Sequence, residues 1–273
     1  MTPLAHELVL AAADGRPIAP TTRIRRAFAT TAAEIAGAFR VLVFNAPDHR
    51  AHLVAASEAE EVGVLARRLA RHLGSRSAVS RPVLLERAVP VWNAADLRAR
   101  IGEILGATAD PFHEASNLPD LLGLRVVARE TGDVLRDLLP DLPASDLVRH
   151  LGTEDLSPGC GLALLEDSAA AALGLWRLAG KARIVSRARA AAAHAGREFG
   201  ATERELAAAL RLTVRGVQGL LSASLEPDLV RAVRLQLGLR ERLLGLAPFV
   251  SGRTDPGPTT PCRAASPRDR EGS

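Results

Sequence analysis

The stretch Ala201-Thr-Glu-Arg-Glu-Leu-Ala-Ala-Ala-Leu-Arg-Leu-Thr-Val-Arg-Gly-Val-Gln-Gly-Leu-Leu221 constrains this chain most, because its spacing admits few folds. Thr202 and Glu205 stand at capping-box spacing, where each side chain satisfies an orphan amide at a helix start. Leu206 and Leu210 then share one helical face, with small Ala207 beside them where a second helix can approach. Arg211-Leu-Thr213 leaves room only for a tight turn, and Thr213 is a good N-cap for the next helix. Val217, Leu220 and Leu221 follow at i, i+3 and i+4, so they face back onto the first helix. Arg215 and Gln218 are left outside. The pattern is that of a helix-turn-helix, whose second helix presents side chains to a DNA groove. Three residues sit awkwardly in it. Arg211 stands where such turns usually carry Gly, and Gly216 and Gly219 each weaken the second helix by about 1 kcal/mol. An Ala-rich helical hairpin that binds no DNA is the competing reading.

Charge distribution supports the first reading. Residues 181–246 carry 12 Lys/Arg against 6 Asp/Glu, whereas residues 101–170 carry 4 Arg against 13 Asp/Glu. A basic segment that coincides with the helix pair is the footprint of a phosphate-binding module. A solvated helical face would give the same count. Lys181, Arg183 and Arg187 are the phosphate-contact candidates, and Arg211, Thr213, Arg215 and Gln218 the candidates at the groove. The acidic residues of 101–170 read as solvated surface.

The 273 residues give ample material for a core. Hydrophobic residues make up 47%, and no apolar run reaches the roughly 18 residues of a membrane span. The start of the chain shows no signal-peptide pattern, and Cys160 and Cys262 form no disulfide framework, so a reducing cytoplasm is expected. No His-Glu-x-x-His, phosphate-cradling or dinucleotide-binding glycine motif, or nucleophile elbow is present, and Ser157-Pro-Gly-Cys-Gly161 reads as a turn.

Upstream, apolar periodicity alternates between strand and helix. Ala5–Leu10 reads as a strand, and a helix from about Thr22 carries Ile24, Phe28, Ile35 and Phe39. Arg40–Phe44 and His52–Ala55 read as a hairpin across Asn45–Asp48. Ser57 and Glu60 open a helix through Val62, Leu65, Leu69 and Leu73. Pro82–Leu85 and Ala88–Val91 read as broken strand material because of Pro90, and Asn93 caps a helix carrying Leu97, Ile101, Ile104 and Leu105. The order β-α-β-β-α-β followed by a helix is the ferredoxin-like arrangement. The expected fold class is therefore α+β: a ferredoxin-like domain over 1–125, an acidic Pro-containing connector with short helices over 126–180, an all-α helix-turn-helix domain over 181–246, and a disordered tail over 247–273. Asp167–Leu178 reads as helical with Trp176 in the core, Ile184–Phe199 as a helix, and Pro227 as the start of another helix carrying Leu229, Val233 and Leu237.

These motifs, in this order, resemble the REP-associated tyrosine transposases, single-tyrosine HUH enzymes that cut and rejoin single-stranded DNA. The resemblance runs through Ala5-His-Glu-Leu-Val9, the Arg-rich first helix, and Val43-Phe-Asn-Ala-Pro-Asp-His-Arg-Ala-His-Leu-Val54, where the family has Met-Pro-Asn-His-Val-His-Leu. It continues at Arg87, at Asp110-Pro-Phe112 and at Leu118-Pro-Asp-Leu-Leu-Gly-Leu-Arg125, and many members append a C-terminal helix-turn-helix. Together these cover roughly 4–125 and 181–245. In the family, His-x-His holds a divalent cation that polarises the scissile phosphate, and a tyrosine attacks it.

Two departures bear on activity. The imidazoles here are His49 and His52, an i, i+3 pair that a regular strand sends to opposite faces, so a cation is implied only if a bulge makes them converge. The chain also contains no tyrosine. The matching position on the helix Ala99–Gly106 is Glu103, whose acyl phosphate would hydrolyse readily, so no catalytic residue is assigned. The resemblance then implies a DNA-binding protein without nicking or strand transfer, with a homodimer implied by resemblance alone. The alternatives are strand transfer by a non-standard nucleophile, and a helical interaction module with no DNA binding.

Overall fold

The computed structural model describes residues 2–47, 49–76, 83–108, 113–142 and 161–245. The expectations for Asp48, for 110–112, for the turn at 157–160, for both cysteines and for the tail lie outside them. The chain forms two compact units. One comprises the described residues up to 142 together with 170–177, and the other 161–169 and 178–245. The first is mixed α+β around a four-stranded antiparallel sheet, and the second is helical.

Strand β1 (Ala5–Ala12) is central and buried, and alternation sends Leu8 and Leu10 to one face and Glu7 and Val9 to the other. It is followed by α1 (Thr22–Ala36), capped by Thr21, whose hydroxyl accepts from the Ile24 amide at 3.3 Å. Next come β2 (Val41–Asn45), β3 (Arg50–Ala55), α2 (Ala59–Arg76), β4 (Val83–Val91) and α3 (Ala94–Gly106). The strands lie in the order β2-β3-β1-β4. In register, Leu8 is opposite Leu53 and Val9 is opposite both His52 and Arg87.

Helices α1 and α2 cover one face. Phe28, Leu65 and Leu69 pack there on Leu8, Leu10, Phe44 and Leu53. Phe28 meets Phe44 edge to face at 5.8 Å, a geometry worth about 1 kcal/mol beyond area burial. Helix α3 covers the other face at β2 and β3, burying Leu97, Ile101, Ile104 and Leu105. Asn45 ties it down by donating to the Ile104 carbonyl at 2.8 Å.

Three local readings are corrected. Ser57 does not cap α2: its hydroxyl donates to the Phe39 carbonyl, and Glu58 and Glu61 make the amide–carboxylate contact instead. The segment around Arg87 is one strand, not two. A register shift beside Val9/Leu10 absorbs an extra residue, and Pro90 is tolerated because β4 is an edge strand with a partner on one side only. Trp176 is not core. It lies 69% exposed with the Arg26 guanidinium 5.1 Å from its ring centroid, after a helix, α6 (Leu165–Ala172), that ends sooner than its apolar run suggested.

The edge of β2 is closed by the segment that follows α3. Asn117 accepts from the Phe44 amide at 2.9 Å and donates to the Leu42 carbonyl at 3.0 Å, so its amide side chain stands in for a neighbouring strand. Helices α4 (Leu118–Leu121) and α5 (Arg129–Leu138) follow, and α5 packs on β2 and α1. Residues 126–142, expected in the connector, thus belong to the first unit. A buried ion pair locks this corner. Asp120 accepts from Arg125 at 2.9 and 2.6 Å and from the Val127 and Ala128 amides at 2.8 and 2.9 Å. Arg125 also donates to the carbonyls of Glu114 and Ser116.

In the second unit, α7 (Arg183–Glu198) is an alanine-lined spine on which α8 (Glu203–Ala209), α9 (Val214–Leu221) and α10 (Pro227–Leu244) pack. Ala188 and Ala190–Ala193 are buried on it, and Leu229, Val233 and Leu237 of α10 are buried as their spacing predicts. Gly196 allows the closest approach, since a Cβ there would overlap the Leu206 side chain.

Removing one partner of the buried pair isolates a charge, so Arg125→Leu should lower stability by about 3–5 kcal/mol. Equilibrium urea unfolding checks this.

Candidate functional site

The helix pair α8–α9 is built by its caps. The Thr202 hydroxyl accepts from the Glu205 amide at 3.3 Å, and the Glu205 carboxylate accepts from the Thr202 amide at 2.7 Å, completing the capping box. Between the helices, Arg211 adopts φ +53°, the left-handed conformation that glycine fills without strain. An L-residue there costs on the order of 1–2 kcal/mol, which explains why glycine is usual at such a turn. Thr213 then caps α9 by accepting from the Gly216 amide at 3.1 Å. Leu206, Leu210 and Val217 are buried between the helices and α7. Val214, Arg215 and Gln218 are left exposed on the first turns of α9.

The polar candidates differ in how they are held. Arg187 forms a two-point pair with Glu226 at 2.8 and 2.7 Å. That hydrogen bond raises the Arg187 pKa and lowers that of Glu226, to which the Arg183 charge also contributes. Arg211 lies 3.3 Å from Glu166, and Gln218 donates to Glu203 at 2.8 Å. Thr213 is committed to its cap. Lys181, Arg183 and Arg215 are exposed, and Arg215 has no hydrogen-bond or ion-pair partner among the described residues. An arriving phosphate would therefore have to displace a carboxylate from Arg187 or Arg211, whereas Arg215 is free to engage it.

A second polar cluster lies on the α3-covered face of the sheet. The two sequence-assigned imidazoles have separate partners. His49 is exposed with Nδ1 2.8 Å from the Gly15 carbonyl, whereas His52 turns onto the sheet with Nδ1 3.5 Å from the Glu7 carboxylate. Glu7 is buried, with a side chain only 3% exposed, and Arg87 and Arg100 approach it at 3.1 and 3.6 Å. The hydrogen bond from His52, aided by the two guanidinium charges, holds the Glu7 carboxyl below its usual range against the opposing effect of burial. Glu103, at the position matched to the family nucleophile, is exposed and pairs with Arg100 at 3.1 Å.

This donor set does not fit a divalent cation. Among the described residues the carboxylate facing His52 is Glu7, beside which Arg87 and Arg100 already stand, and their charge would repel a metal ion. Among the described residues, no group of three His, Cys, Asp or Glu side chains could hold one. Sequence reasoning missed Glu7. Its signal was a lone carboxylate inside the apolar strand Ala5–Leu10, a position that demands a buried partner.

Because the Glu7 carboxyl is held below its ordinary range in the folded chain, its stabilisation is complete above that range and is lost as pH falls toward the folded value. Glu7→Gln should therefore cost about 1–3 kcal/mol at pH 7 and lose less stability on acidification. Urea unfolding at pH 7 and at pH 4 measures both.

Comparison of the chain with protein-family models, with curated proteins and with solved structures found no match.

Proposed function

We propose that this chain is a duplex-DNA-binding protein of REP-associated tyrosine transposase type that has lost the nicking chemistry. Its helix-turn-helix, α8–α9, carries the binding. The observation that carries this reading is the outward placement of Arg215 and Gln218 on the first turns of a capped helix whose Val217 is buried, with Leu220 and Leu221 partly so. That is the geometry by which a recognition helix offers side chains to base edges. Lys181, Arg183 and Arg187 at the start of α7 supply positive charge for phosphates, which position a protein on DNA without reading sequence.

The sheet unit supports the family resemblance in two ways. Element order β-α-β-β-α-β with strand order β2-β3-β1-β4 is that of a ferredoxin-like fold. His52 and the helix bearing Glu103 also lie on one sheet face, as the strand imidazoles and helix nucleophile of such an enzyme must. Chemistry is a different matter. With no tyrosine in the chain the family nucleophile is missing, and His49 and His52 face separate partners, the Gly15 carbonyl and Glu7, which supports a loss of the nicking chemistry. A cytoplasmic setting follows from this reading, and no helix among the described residues is long and apolar enough to cross a membrane.

The carboxylates on Arg187 and Arg211 favour a second reading, a helical interaction module whose basic charges are satisfied internally. Duplex binding separates the two. In fluorescence anisotropy with a duplex selected from a random pool, Arg215→Ala and Gln218→Ala should each weaken binding by about 1–3 kcal/mol while thermal unfolding is unchanged. Binding that ignores both substitutions would remove α9 as the recognition helix.

A further inference from the structure

The contact between Gln218 and Glu203 fixes more than a side-chain position. A glutamine amide is a poor reader on its own, because rotation by a half turn exchanges its donor and acceptor. One orientation complements adenine and the other does not. Here Nε2 donates to Glu203 Oε2 at 2.8 Å. An ionised carboxylate only accepts, so the flipped amide would set Oε1 against a negative oxygen and is excluded. The other oxygen of Glu203 faces the Arg197 guanidinium, with Nη1 at 3.7 Å. The relay runs from the last turn of α7 (Arg197) through the first residue of α8 (Glu203) to the outer face of α9 (Gln218).

With one Nε2 hydrogen taken by Glu203, Gln218 retains one N–H donor and the Oε1 acceptor. That pair matches the N7 acceptor and N6 donor that adenine shows in the major groove. Guanine offers two acceptors, N7 and O6, and the second would face Oε1 with no hydrogen between them. We propose that Glu203 is a positioning residue that sets base preference, holding the Gln218 amide in the orientation that pairs with adenine. The inference rests on the DNA-binding reading and deepens it. Arg215, one turn earlier on α9, has no such buttress and stays adaptable.

Selecting bound sites from a random duplex pool with the full chain, its Glu203→Ala and Glu203→Gln forms and Gln218→Ala tests this. The wild-type chain should enrich a motif with adenine preferred about tenfold at one position, a preference lost in Gln218→Ala. Glu203→Ala should keep the rest of the motif but let that preference fall below about threefold. Glu203→Gln, which keeps the side-chain shape and one acceptor oxygen, should fall between them and serves if the alanine form does not fold. A uniform loss of affinity with the adenine preference intact would make Glu203 merely structural and overturn the inference, leaving DNA binding in place. A base other than adenine at the Gln218-dependent position would overturn it equally. A wild-type chain that enriches no motif would overturn both the inference and the DNA-binding reading beneath it.

Discussion

Leu206 seated against Gly196 is the contact on which the helical unit depends. The absent Cβ leaves room for the Leu206 side chain against α7, and a side chain at that position would have to displace it. Once α8 is fixed, the left-handed Arg211 and the Thr213 cap leave α9 little freedom, because Val217 must be buried between α7 and α8. The outer face of α9 is then determined. Arg215 and Gln218 are exposed because the inner positions are already occupied. The strain at Arg211 is offset by the caps on both sides of it, each worth about 1 kcal/mol.

In the sheet unit the corresponding constraint is the burial of one carboxylate. Glu7 lies on the central strand facing α3, where an uncompensated charge would be expensive, and His52, Arg87 and Arg100 converge on it from two neighbouring strands and the helix. These residues occupy the α3-covered face of the sheet and set ion pairs there. Their chemistry is stabilising.

Much of the fold was legible because side-chain periodicity and caps are local signals. Thr202 with Glu205, Thr213, Asn93 and the alternation through Leu8 and Leu10 could each be read from neighbours in sequence, and each has the expected role. What could not be read depended on distant partners. Ser57 looked like a cap but is drawn to the Phe39 carbonyl, and Trp176 looked like core but is stacked under Arg26. The candidate site was legible in its residues and not in their pairing. Gln218 and Arg211 stood out by position on the helix pair, whereas Glu203 and Glu166, which hold them, come from other elements. His49 and His52 illustrate the same limit: three residues apart, they are held by Gly15 and Glu7, partners that spacing alone does not reveal.

The central claim is that this chain holds duplex DNA through a basic helical surface, and the most direct measurement is the dependence of duplex affinity on salt. Each phosphate neutralised releases condensed counterions, so the logarithm of the binding constant should fall linearly with the logarithm of salt concentration, by about 0.9 per phosphate contacted. Contacts from Lys181 and Arg183, with Arg187 added once a phosphate displaces Glu226, give an expected slope of roughly −2 to −3. A slope near zero, or no duplex binding at low salt, would contradict the account.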